Sequence, residues 1–117
     1  DWIELRRDKA ELYASLLEGG ETLSPIEEEN RRHVFTYYVI RTGKRDAVQE
    51  ALQEAGIDTV IHYPVPLHLQ PAYEDLGYTE GDFPVAEENA EKILSLPLYP
   101  ELEDGKIRRI AETVRGI

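Results

Sequence analysis

The stretch Ile61-His62-Tyr63-Pro64-Val65-Pro66-Leu67-His68-Leu69-Gln70-Pro71-Ala72-Tyr73 packs two of the chain's three histidines, two tyrosines and three prolines into thirteen residues. Proline fixes φ and disfavours helix in the residue before it, so Tyr63, Val65 and Gln70 are pushed towards extended geometry. The segment therefore reads as a stiff loop that presents polar side chains. Equally, a Pro-rich stretch of this kind serves as plain punctuation between a strand and a helix.

Working upstream, Ile57 to Tyr63 reads as a strand that delivers His62 and Tyr63 to its C-terminal end. Before it, Val48, Ala51, Leu52 and Ala55 follow the i, i+3, i+4, i+7 spacing of an amphipathic helix, and Gly56 stands where a left-handed residue closes one. His33 to Arg41 is rich in β-branched and aromatic residues with apolar groups on both alternating faces, which predicts a strand covered on both sides and central in its sheet. Glu21 to Arg32, with Ser24-Pro25 and the acidic run Glu27-Glu28-Glu29, reads as an exposed, mobile connector. Trp2, Leu5, Leu12 and Leu16 form a helical stripe that should dock on another surface, with Gly19-Gly20 ending the helix.

Downstream, short helical pieces are expected at about Pro71 to Leu76 and Pro84 to Leu94, with turns at Gly77 and Gly81-Asp82. Leu96-Pro97-Leu98-Tyr99-Pro100 could add a short strand, confined by its prolines to an edge. Asp104 is expected to cap a last helix bearing Ile107, Ile110, Ala111 and Val114, with arginines towards its carboxyl end. The sum is a small two-layer α/β domain with helices packed on a short sheet.

The chain has 117 residues, enough for one domain that buries about two-thirds of its unfolded surface. It contains no methionine and begins at Asp1-Trp2 inside a helical pattern, as a piece or processed product of a longer protein would. Twenty-four acidic against thirteen basic residues give a formal charge of −11, the opposite of what neutralising nucleic-acid phosphates requires. The pairs Arg6-Arg7, Arg31-Arg32 and Arg108-Arg109 are each flanked by acids and read as solvated faces. The chain has no cysteine, which removes thiolate sites and disulfides and fits a cytosolic protein. Apolar runs such as Val34 to Ile40 are far shorter than the roughly 20 residues a membrane span needs, so no membrane partner is expected.

For chemistry, His62 and His68 are the first pair to weigh. An extended spacer could hold them up to roughly 20 Å apart, and a zinc site would still need further convergent ligands. Ser15, Ser24 and Ser95 lack the strained elbow of a nucleophilic serine. Neither Gly19-Gly20 nor Gly77 to Gly81 matches a phosphate-binding loop. Tyr37, Tyr38 and Trp2 lie in regular elements and read as packing residues; Tyr99, between two prolines, is open.

The runs IHYPVPLHLQPAYEDLGY (residues 61–78) and GDFPVAEENAEKILSLPLYPEL (residues 81–102) resemble the C-terminal small domain of the DegT/DnrJ/StrS sugar aminotransferases, which are fold-type I pyridoxal-phosphate enzymes. The likeness runs from about Arg32 to Val114. It implies a single C-terminal small domain over 1–117, with an interdomain helix (1–20), a connector (21–32) and an α/β core (33–117). It implies pyridoxal phosphate in the intact enzyme, bound through a lysine of a missing N-terminal domain, and no cofactor on this chain alone. Lys9, Lys44, Lys92 and Lys106 look like surface positions, so no catalytic residue is expected here. The implied partners are a nucleotide-linked keto sugar, an amino donor such as glutamate, and a second copy in a homodimer. The small domain would supply one wall of the substrate cleft. His62 and Tyr63 lead as substrate-binding candidates, since imidazole and phenol both hydrogen-bond sugar or phosphate oxygens. His68 and Gln70 follow, although both could simply rigidify their own loop. A sugar dehydrase of the same family and a free-standing ligand-binding or regulatory domain are the alternatives.

Overall fold

The computed structural model describes all 117 residues, and helices lie against a two-stranded antiparallel sheet. The elements are α1 (Trp2–Leu17), β1 (Tyr38–Arg41), α2 (Arg45–Glu54), two 3-10 turns (Leu67–Leu69 and Pro71–Leu76), α3 (Pro84–Lys92), β2 (Ile93–Leu96) and α4 (Asp104–Arg115). In the sheet, Tyr38 pairs with Leu96 and Arg41 with Ile93. Helix α4 packs against both α1 and α2, and its Ile107, Ile110, Ala111 and Val114 are buried at the expected helical spacing. The small α/β class read from the sequence is the class observed.

Tyr13, Tyr38, Ile40, Val48, Leu52, Leu94 and Ile107 are the largest fully buried side chains. The rings of Tyr13 and Tyr38 stack at 4.7 Å, and the Tyr13 hydroxyl donates to Pro97 O at 2.9 Å, so the phenol enters the core with its polar atom satisfied. Burial pushes the Tyr13 pKa up.

Three arginines close three helices from elsewhere in the fold. Arg115 donates to Leu16 O and Glu18 O at the end of α1, Arg109 to Ala55 O after α2, and Arg45 to Ala90 O in α3. Carbonyls at helix ends lack intrahelical partners and carry the negative pole of the helix, so a guanidinium is well matched there. Arg109 is thus more than a solvated charge.

Several elements differ from expectation. The strand expected over His33–Arg41 begins only at Tyr38, because His33 Nδ1 accepts the Phe35 N–H at 2.8 Å and Phe35 takes a left-handed φ of 48°, turning the chain before it can pair. It is one of two strands, so it is not central. The strand expected over Ile57–Tyr63 reduces to one bridge between Val60 and Ser95, and the chain then leaves the sheet towards Pro64 and Pro66, which lack an N–H for a ladder. The second strand is instead Ile93–Leu96, taken from the end of the expected helix, and it stops where Pro97 removes the next donor. No side chain caps α4 in place of Asp104, whose preceding residue Glu103 is the N-cap.

The stripe buried on α1 is Ala10, Tyr13 and Leu17, whereas Trp2 remains 68% exposed and Leu5 lies outside the core. Leu12 and Leu16 pack only partly against it. The connector is largely exposed yet pinned twice: Leu23 bridges Arg41, and Arg7 holds Glu27 through both carboxylate oxygens. No helix is long and apolar enough to cross a membrane.

Candidate functional site

His62 leaves the sheet two residues after the Val60 to Ser95 bridge, and Ser95 holds it twice over. The Ser95 backbone pairs with Val60 in both directions, and its hydroxyl lies 2.8 Å from His62 Nδ1. Ser95 is buried, so this contact also satisfies a polar atom inside the fold. On one side the His62 ring stacks on Tyr37 at a centroid distance of 4.3 Å. With Nδ1 and one ring face fixed, Nε2 is the free hydrogen-bonding atom.

A cavity of about 550 Å³ opens beside this group. Its lining includes His62, Tyr37, Ser95, Tyr99, Lys106 and Arg109. Tyr37 is half exposed, so its role differs from the packing role read from the strand pattern; Tyr38 alone of the two fills the core. Tyr99 settles at the cavity wall.

The other three candidates stand apart from that cavity. The Tyr63 peptide is cis to His62, and the Tyr63 ring is exposed and meets His62 edge-on at 5.4 Å. Tyr63 and Gln70 share a second, smaller concavity of about 200 Å³ with Val65 and Asn89. Gln70 donates to Val65 O at 3.4 Å, a long contact that ties the loop to itself.

His68 turns inwards: its Nε2 is 2.7 Å from Glu87 Oε1, and Phe83 meets its ring edge-on at 4.8 Å. The same Glu87 carboxylate accepts the N–H groups of Gly81 and Phe83. The His68 hydrogen bond, with the two backbone N–H groups, holds the Glu87 pKa below the usual carboxylate range. His62 and His68 thus take different partners, and no cluster of three metal-ligating side chains forms.

Ser95, set aside in the sequence only as a serine without a strained elbow, Tyr37, read there as a packing residue, and Glu87, not singled out at all, carry this arrangement. A serine set between Leu94 and Leu96 in an apolar run was the one available signal, since a buried hydroxyl needs a partner.

The sequence profile of the DegT/DnrJ/EryC1/StrS aminotransferase family matches residues 1–115, including the first helix, which lies before the stretch from about Arg32 on which the resemblance rested. A pleiotropic regulatory protein of Geobacillus stearothermophilus is 46% identical over 97% of this chain, which spans 31% of that protein. The UDP-N-acetyl-3-dehydro-alpha-D-glucosamine 3-aminotransferase of Acidithiobacillus ferrooxidans is 41% identical over 94% of the chain and 29% of its own length. S. venezuelae DesV, solved by X-ray crystallography in complex with a ketimine intermediate, superposes with a TM-score of 0.94 at 38% identity, covering 98% of this chain and 31% of DesV. The chain therefore spans about a third of the length of such relatives. With nearly its whole length matched in sequence and in fold, the chain belongs to the DegT/DnrJ/EryC1/StrS aminotransferase family.

Proposed function

We propose that residues 1–117 form the C-terminal small domain of a pyridoxal-phosphate-dependent aminotransferase that moves an amino group, with glutamate as donor, onto a nucleotide-linked keto sugar. In this reading 1–20 is the helix between domains, 21–32 a connector and 33–117 the domain core. The intact enzyme works as a cytoplasmic homodimer. The observation that carries the reading is His62, fixed by Ser95 and Tyr37 with Nε2 free beside a cavity of about 550 Å³.

Pyridoxal phosphate supplies the electron sink for amino transfer when bound. The residues of this chain do not fit that group by themselves. Each of the four lysines is engaged with a carboxylate: Lys9 with Asp104, Lys44 with Glu21, Lys92 with Glu88 and Lys106 with Glu103. The lysine that holds the cofactor is assigned to the remainder of the longer protein.

What this chain supplies is recognition. In this reading the Ser95 hydroxyl donates to His62 Nδ1, which leaves the proton on Nε2 to donate to a sugar or diphosphate oxygen. Tyr63 offers an exposed ring and hydroxyl next to it, and the cavity lining includes the cations Lys106, paired with Glu103, and Arg109, bound to Ala55 O. His68 and Gln70 contribute by holding the loop that carries them, His68 through Glu87 and Gln70 through Val65.

The test is amino transfer by the intact protein from glutamate to UDP- and dTDP-linked keto sugars. His62→Ala is expected to raise KM for the sugar about tenfold, the worth of roughly one hydrogen bond to a charged group, with a smaller change in kcat. An unchanged KM would remove His62 from the cleft wall.

A further inference from the structure

No residue between Leu52 and Ala90 is buried, and residues 71–86 are exposed at every position. The segment is nonetheless built. Glu87 ties His68, Gly81 and Phe83 together, and Asp82 accepts the Thr79 N–H at 2.7 Å. On this platform Leu67 (69% exposed), Leu76 (62%), Tyr73, Tyr78 and Phe83 form an apolar concavity of about 470 Å³. A contiguous apolar face on an ordered surface marks a site that another surface covers.

The charge of the chain segment that carries it says what kind of surface. Between Asp46 and Glu91 the sequence holds eleven acidic side chains and no lysine or arginine, so this stretch alone carries the whole formal charge of −11; the rest is balanced at thirteen acids and thirteen bases. Glu74, Asp75, Glu80 and Asp82 lie within the exposed segment itself. Two copies meeting symmetrically through this face would set acid against acid, which costs affinity. An apolar surface flanked by lysine and arginine would gain from both features, and the preformed platform needs little ordering on contact.

We propose that the Pro66–Ala86 face docks a basic-flanked apolar surface in the part of the longer polypeptide that lies outside residues 1–117. This rests on the reading of the chain as the small domain of a longer aminotransferase. The acidic rim then steers and registers the contact, and the apolar concavity supplies its core.

The experiment replaces exposed Leu76 with the photo-crosslinker p-benzoylphenylalanine in the intact gene product and maps the crosslinked peptides by mass spectrometry. Crosslinks to residues outside 1–117 are expected. Their yield should fall several-fold in the Asp75→Lys/Glu80→Lys variant, whose two native side chains make no hydrogen bond or ion pair within the chain. It should also fall in about 1 M salt, where the screening length shrinks to roughly 3 Å. Crosslinks that land only within 1–117 of another copy, no crosslinks, or a yield indifferent to charge reversal would each overturn the docking surface. An intact gene product no larger than this chain would overturn the aminotransferase reading as well, which separates the two failures.

Discussion

Ser95 Oγ lies 2.8 Å from His62 Nδ1, bringing together residues 33 apart in sequence, and the Ser95 backbone also pairs with Val60 just before the histidine. One buried residue therefore sets both the path of the chain and the rotation of the ring. Ser95→Ala removes the hydroxyl and keeps the bridge. His62 is then expected to lose its single tautomer, seen as a shift of its ring ¹⁵N signals towards the averaged values of free imidazole, while His33 and His68 stay unchanged. Ser95→Thr should restore the pattern. A His62 spectrum indifferent to Ser95→Ala would show that the contact does not position the ring.

Two carboxylates make the fold sensitive to acid. Glu87 is held low chiefly by His68, and Glu27 is pulled to about 2, first by Arg7 and then by the His33 N–H. A depressed folded pKa contributes stability above the unfolded value, and that contribution is lost as pH falls through the folded one. As pH falls below about 4.5 the turn around Gly81 and the connector at Glu27 should both loosen before the core, the connector by about pH 2. Amide exchange as a function of pH reads both. Glu87→Gln should give the loosened Gly81 turn already at neutral pH, without moving the Glu27 connector.

The helices, apart from the buried face of α1, were legible because their signals are local. The apolar spacing of α4 and the closure of α2 by Gly56, whose φ is 77°, follow from positions three or four residues apart and from one glycine. The sheet was less legible, since its limits depend on partners distant in sequence. Nothing near Val34 says that His33 will take the Phe35 N–H, and nothing near Ile93 says that Tyr38–Arg41 will recruit it out of a helical pattern. On α1 the apolar stripe was read one face away from the buried one, because Tyr13 carries a hydroxyl whose acceptor, Pro97 O, is 84 residues on. His62 and Tyr63 stood out by composition. The grip of Ser95 and Glu87 did not, because a lone serine or glutamate in sequence reveals no partner.

Two glycines separate backbone conformation from packing. Neither Gly56 nor Gly105 has an atom within 4 Å of where a Cβ would stand, but only Gly56 has positive φ. Gly56→Ala should destabilise by about 1–2 kcal/mol through left-handed strain. Gly105→Ala, in the first turn of α4, should stabilise by roughly 0.4–1 kcal/mol by restricting the unfolded chain. Urea titrations of the two variants give the comparison, and equal effects would contradict it.

Arg115 ties the end of α1 to α4 by donating to Leu16 O at 3.0 Å and Glu18 O at 2.6 Å. Arg115→Ala should lower the denaturation midpoint by an amount worth about 1–2 kcal/mol, with an unchanged slope. Arg115→Lys should recover only part, because a single ammonium cannot reproduce the guanidinium fork.

The most direct measurement is borohydride reduction of the intact gene product followed by peptide mapping. Pyridoxal phosphate trapped on a lysine outside residues 1–117, in a product about three times the length of this chain, is the expected result. Trapping on Lys9, Lys44, Lys92 or Lys106, or a product of this length that retains no cofactor, would contradict the assignment of this chain as the substrate-facing small domain of an aminotransferase.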